Sequence, residues 1–181
     1  MSHVNDIPFL IRPSAESDVD SMLSIYLQHI KEGLINPHGL GIEMPQVSDL
    51  KRRRKNMQNN KYPHLVAEHN GNVVGYAYAV PFRKRPAYRF AVKHSIYVDK
   101  NYLNRGVGRR LIPALIDACV ASGYRQIVCY IDASNTTSIH FHSSLGFSQI
   151  GYLKDIGFNY GKWTDCVIMQ RSLGEGSHSN P

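Results

Sequence analysis

No apolar run in this chain approaches the roughly 20 residues that a membrane-crossing helix needs. Met1 to Pro8 also lacks the basic-then-apolar order of a signal peptide, so the chain is expected to be cytoplasmic and free of the membrane. Cysteine is scarce. Cys119, Cys129 and Cys166 fit neither a zinc-ligand spacing nor a disulfide framework, which predicts reduced, structural thiols and no metal. Charged residues make up 19% against 43% hydrophobic, a balance that excludes a disordered chain. There is no internal repeat and no linker. One domain over residues 1–173 is therefore expected, with residues 174–181 as a disordered tail.

Acidic residues are the minority, 14 against 21 basic ones, for a net charge of +7 and a pI near 9.4. That excess suits an anionic partner, either nucleic acid or a phosphate-bearing small molecule, and charge alone does not choose between them. The densest basic run is Lys51-Arg52-Arg53-Arg54-Lys55, with Asp49, Asn56, Gln58 and Asn59 around it. It has helical propensity and no interleaved aromatics, so it reads as a solvated helix face rather than a nucleic-acid patch.

Phe9 to Arg12 reads as a strand ending at Pro13. A helix follows, with Ser14 or Ser17 as its cap and Val19, Met22, Leu23, Tyr26 and Ile30 on its apolar face. Gly33, Pro37, Gly39, Gly41 and Pro45 predict a loop, and the basic helix starts near Ser48. Asn70-Gly71 between Leu65–Glu68 and Val73–Val80 is a hairpin signal. Phe90 to Val98 is a strand, and Gly106 opens a helix with Leu111, Leu115, Ile116 and Cys119 on one face and Pro113 in its early turns. Ile127 to Ile131 (strand), Thr136 to Ser144 (helix), Phe147 to Gly151 and Asp165 to Arg171 (closing strands) complete an α/β order. A mixed central sheet flanked by helices is expected.

Two clusters carry chemistry. Ser95-Ile96-Tyr97-Val98 leads through a polar connection into Arg105-Gly106-Val107-Gly108-Arg109-Arg110 and a helix. Glycine lets the backbone approach an oxyanion, helix-start amides bind phosphate oxygens, and arginines add charge-assisted bonds, so a pyrophosphate suits this turn. A Gly-x-Gly pair alone also fits a close-packed turn, and neither a dinucleotide fingerprint nor a nucleoside triphosphate loop is completed. The second cluster is Asn135, Ser138, Phe141, His142, Gly146 and Phe147, in the pattern Asn-x-x-Ser-x-x-Phe-His-x-x-x-Gly-Phe.

Together these clusters resemble the GNAT acetyltransferases, from Phe9 to Leu173. Pro81 to Arg89, His94 to Val98, and Gly157-Phe158 through Trp163-x-Asp165 are similar to the phosphinothricin and methionine sulfoximine acetyltransferase subfamily. The resemblance implies a single-domain GNAT fold, acetyl-CoA as co-substrate, acetyl transfer to the α-amine of a small amino-acid-like acceptor in a ternary complex, and a homodimer. It assigns the cofactor to the backbone of Ile96, Tyr97 and Val98, to Asn104, Arg105, Gly106, Val107, Gly108 and Arg109, and to Asn135 and Ser144. One amide of the Ile96–Val98 strand is expected to polarise the thioester carbonyl.

His142 stands where many members have a tyrosine near the departing sulfur, which makes it the candidate general acid. Arg83 and Arg85, alternating along an extended segment, are expected to grip an acceptor carboxylate or phosphinate, with Tyr88 lining the same pocket. Trp163 and Asp165 either shape the site or brace it. The chain departs from the subfamily at Lys93, where a glutamate usually precedes His94. The base is then His94 or water, and Lys93 a candidate for an anionic group of the substrate. Leu103 and the Gly39-Leu40-Gly41-Ile42 stretch also depart from the pattern. The alternatives are another small amine or a protein amine as acceptor, or a non-catalytic acyl-CoA sensing module.

Overall fold

Residues 8–31, 45–159 and 161–181 are described by the computed structural model. In chain order the elements are β1 (Leu10–Pro13), α1 (Val19–Lys31), α2 (Val47–Asn59), β2 (His64–His69), β3 (Asn72–Pro81), β4 (Ala91–Val98), α3 (Val107–Ala121), β5 (Gln126–Asp132), α4 (Thr136–Ser144), β6 (Ser148–Asn159) and β7 (Lys162–Ser172). The strands form one sheet in the order β1-β2-β3-β4-β5-β7-β6. Only β4 and β5 run parallel; every other neighbouring pair is antiparallel. This is the expected α/β class with a mixed sheet. The loop predicted over residues 33–45, with the Gly39–Ile42 stretch, lies outside the described residues except for Pro45.

Strand alternation sends β4 residues to opposite faces. Val92, Ile96 and Val98 join the larger core with Ala77, Leu111, Leu115, Ile127 and Met169, beneath α3. Tyr97 points the other way and packs with Tyr76, Met22 and Ile25 beneath α1. No described helix is long and apolar enough to cross a membrane.

Four local expectations change. The residue at the start of the turn before α1 is Ala15, not Ser14 or Ser17. There the Asp18 carboxylate accepts the Ala15 amide at 2.7 Å and two bonds from Arg12 at 2.7 and 2.9 Å, while Arg12 also donates to Glu68 at 2.8 Å. A charged, bidentate partner outcompetes a serine hydroxyl for this role. Pro113 lies inside α3 beyond its first turn, so the Arg109 carbonyl lacks the usual amide partner four residues on. The closing strands run on into a long β6–β7 hairpin reaching Asn159 and Lys162. Residues 174–181, expected to be disordered, follow turns against the body, where Arg125 donates to the Ser179 hydroxyl at 3.2 Å and the Asn180 carbonyl at 3.4 Å.

Candidate active site

β4 and β5 are paired only at Ala91↔Gln126, Val92↔Ile127 and Lys93↔Val128, although both strands continue. The sheet therefore splits beyond Lys93. The Phe82 amide donates to Ala91 O at 3.0 Å and the Asp99 amide to Val74 O at 2.9 Å, which sets the odd-numbered β4 residues toward β3. By alternation Lys93, Ser95 and Tyr97 turn their backbone groups to β3, and Ile96 and Val98 turn theirs into the gap. His29 Nε2 lies 2.9 Å from the Val98 carbonyl, an acceptor only, and so donates to it, leaving the Val98 amide and both groups of Ile96 on that edge. From Lys93 to Val98 the edge is roughly 17 Å long at about 3.3 Å per residue.

The Arg105–Arg109 turn lies beyond the open end of the gap. Gly106 precedes α3 with φ 88°, a conformation that other residues adopt only under strain, and Asn104 has φ 58°. Gly108 has a different reason. A Cβ there would stand 2.9 Å from the Phe141 ring, so this glycine lets α3 pack close to α4. Asn104, Arg105 and Arg109 are exposed and Val107 is buried. Asn135 and Ser144, also expected at the cofactor, have local bonds. Asn135 Oδ1 accepts the Ser138 amide at 3.1 Å and caps α4, and the Ser144 hydroxyl donates to the Phe141 carbonyl at 2.7 Å.

Where the strands part, His94 and His142 meet under the gap with ring centroids 5.2 Å apart, and Phe147 packs on both at 5.5 and 5.3 Å. His94 is 6% exposed and His142 2%. Among the described residues, neither ring nitrogen of His94 nor the Nε2 of His142 reaches a hydrogen-bond partner. His142 Nδ1 lies 2.8 Å from the Ser138 carbonyl. A carbonyl only accepts, so Nδ1 carries the proton and Nε2 presents its lone pair. Burial, helped by neighbouring His142, holds His94 down at about 3, and burial also lowers His142, offset in part by the Ser138 bond.

Cys129 on β5 completes this group. Its Sγ and one nitrogen from each histidine all lie within 4.8 Å of one another. Sequence reasoning set Cys129 aside because its partners are far away in the chain; no local spacing announces the trio.

At the closed end of the split, Arg53, Arg83, Lys84, Arg85 and Arg89 line a cavity of about 560 Å³ that also touches Val80 and Tyr124. Val80 pairs with Lys93, the last β4 residue in register with β5, so the cavity adjoins the point of parting. Among the described residues no acidic side chain lines it, and none of its five cations has an ion-pair partner. Arg83 and Arg85 do meet here, yet not along an extended segment. Bends and a 3₁₀ turn at Pro86–Tyr88 bring them together. Tyr88 does not line the cavity; it packs on Phe82 with the Arg83 guanidinium 5.4 Å from its ring centroid. Lys93 is exposed and outside the lining.

The basic run on α2 divides by residue. Lys51 pairs with Glu16 at 3.3 Å, Arg52 with Asp49 at 2.7 Å, and Arg54 bonds the Ser14 hydroxyl at 2.9 Å, while Arg53 turns to the cavity. Asp165 braces the hairpin, accepting from the Tyr152 hydroxyl and from the Asp155 amide at 2.7 Å, and Trp163 packs on Phe158 at 5.3 Å.

A sheet split beside a phosphate-suited turn, with buried imidazoles under the split and a cationic cavity near its closed end, suits group transfer from a phosphate-bearing donor. The chain belongs to the acetyltransferase (GNAT) family, whose profile matches residues 34–147. It is 35% identical to a phosphinothricin N-acetyltransferase of Alcaligenes faecalis over 172 residues, covering 94% of this chain and 86% of that one. It is 38% identical over 120 residues to an L-methionine sulfoximine/L-methionine sulfone acetyltransferase of Salmonella typhimurium, covering 66% and 69%. The crystal structure of a phosphinothricin acetyltransferase from Sinorhizobium meliloti in complex with AcCoA superposes with a TM-score of 0.89 at 36% identity, over 96% of this chain and 92% of that one.

Proposed function

We propose that this protein transfers the acetyl group of acetyl-CoA to the α-amine of a small amino acid of the phosphinothricin, methionine sulfoximine or methionine sulfone type. The observation that carries this reading is the split between β4 and β5, with an anion-suited turn at its open end and a basic cavity at its closed end. Acetyl-CoA supplies the acetyl group activated as a thioester. The Ile96 carbonyl and the Val98 amide hold its extended arm as a missing strand would, and the amides of the Asn104–Arg109 turn, with Arg105 and Arg109, hold its pyrophosphate. Arg83 and Arg85 take the acceptor's carboxylate or phosphinate.

The acceptor ammonium first loses a proton to solvent. As its nitrogen bonds the acetyl carbon, the neutral His142 Nε2 takes the second proton, and the Ile96 amide stabilises the oxygen that gains charge. His142 then gives that proton to the sulfur as the carbon–sulfur bond breaks, leaving the N-acetyl product and free CoA thiol. The base duty falls on His142 because the bond from its Nδ1–H to the Ser138 carbonyl fixes the ring and leaves the Nε2 lone pair available. His94 packs against His142 with ring centroids 5.2 Å apart. The three unpaired thiols suit the reducing cytoplasm, and the exposed apolar residues of the β6–β7 hairpin suit a homodimer.

The test is thiol release from acetyl-CoA with methionine sulfoximine, phosphinothricin, methionine sulfone and unrelated amines. Turnover on the first three is expected, with KM for the acceptor at least about tenfold higher in Arg83→Ala and kcat about 100-fold lower in His142→Ala. Saturable acetyl-CoA binding without turnover on any of them would sink this assignment.

A further inference from the structure

The trio under the split is built as a metal-ligand set. His142 donates Nδ1–H to the Ser138 carbonyl, the arrangement that fixes a ligating imidazole and leaves Nε2 free. His94 is buried, and both its ring nitrogens lack a partner among the described residues. Cys129 adds a soft sulfur, is buried, and has no part in the proposed reaction. A tetrahedral zinc with usual bond lengths sets its nitrogen and sulfur ligands roughly 3.3 to 3.6 Å apart. The three ligand atoms here lie within 4.8 Å of one another, so ring and thiol rotations of about 1 Å close the site. Two neutral imidazoles and a thiolate select Zn²⁺ over Mg²⁺ or Ca²⁺, which prefer oxygen.

We propose that His94, Cys129 and His142 form an inhibitory site for Zn²⁺ that captures the His142 lone pair and stops acetyl transfer. Binding forms two nitrogen–zinc bonds and one sulfur–zinc bond and releases the Cys129 thiol proton to solvent. No step of the proposed reaction uses the metal. The inhibitory part rests on the role given to His142 above, whereas the site itself does not. Burial pushes the Cys129 thiol up to about 12, which keeps it a protonated, inert side chain until a cation displaces the proton.

The full chain, stripped of metal, is titrated with Co²⁺ as a spectroscopic stand-in for zinc. The wild type is expected to give a one-to-one thiolate-to-cobalt charge-transfer band that Zn²⁺ abolishes, and Cys129→Ala and Cys129→Val are expected to lose it while melting cooperatively. In the thiol-release assay both variants keep metal-free turnover, and the Zn²⁺ concentration for half-inhibition rises at least about tenfold. A missing band in the wild type, or a band that survives in both variants, overturns the site. A correct band with equal inhibition of wild type and variants overturns the regulatory role. Because the band reads binding without turnover, failure of the site is distinguishable from failure of the acetyltransferase reading.

Discussion

Gly106 and Gly108 stand two positions apart in one motif and answer to different physics. Gly106 is required by a positive φ and Gly108 by a ring beside it. Gly106→Ala is expected to cost about 1 kcal/mol and to raise KM for acetyl-CoA, while Gly108→Val is expected to push α3 from α4 and lower the melting temperature more. Differential scanning fluorimetry with and without acetyl-CoA separates the two effects. Most of this was legible as a phosphate-suited turn, but which glycine serves packing depends on Phe141, far along the chain. His64 makes a pH prediction. Its ring stacks on Tyr78 at 5.4 Å, and burial first, then Arg54, holds it down at about 4. The unfolded chain takes up a proton near 6.5 while the folded chain does so only near 4, so this contribution is whole above 6.5 and is lost as pH falls through that window. His64→Phe keeps the stack and is expected to flatten the slope of stability against pH there, by at most about 1.4 kcal/mol per pH unit.

The elements themselves were largely readable, because hydrophobic period and the Asn70-Gly71 turn state them locally; the observed Asn70 and Gly71 φ values of 50° and 78° are those of the predicted hairpin. What the sequence could not express is where elements stop pairing. Nothing in Ser95-Ile96-Tyr97-Val98 says that β5 leaves β4 after Lys93, since that depends on how β5 is drawn to β7 across the sheet. The basic run was equally opaque, because its four roles are set by what faces α2. At the join of β1, β2 and α1, Asp18 is 5% exposed and tied to Arg12, which holds its carboxyl below the usual range. Arg12→Ala strands a buried carboxylate and is expected to cost about 3 kcal/mol in urea unfolding at pH 7. The loss should shrink below about pH 4, where the unfolded Asp18 is protonated and the pair's contribution fades as pH falls through the lowered folded value.

Across the whole molecule, Ile150, Tyr152, Ile156, Phe158 and Trp163 are 53–64% exposed on the β6–β7 hairpin, a concentration of large apolar side chains unusual for a surface that stays free. If this face pairs two copies, as proposed, the wild type sediments as a dimer and Trp163→Glu as a monomer in sedimentation velocity. A monomeric wild type would overturn the pairing, and a dimeric Trp163→Glu variant would place the contact elsewhere. The cationic cavity has a kinetic meaning as well. Five cations without counter-charges among the described residues gather at one end of the split and the exposed Arg105 and Arg109 at the other, so each anionic substrate is drawn in along its own field. The encounter rates should then fall steeply as added salt screens those fields, while turnover at saturation barely changes, and simple oxyanions such as sulfate should slow the acceptor without resembling it.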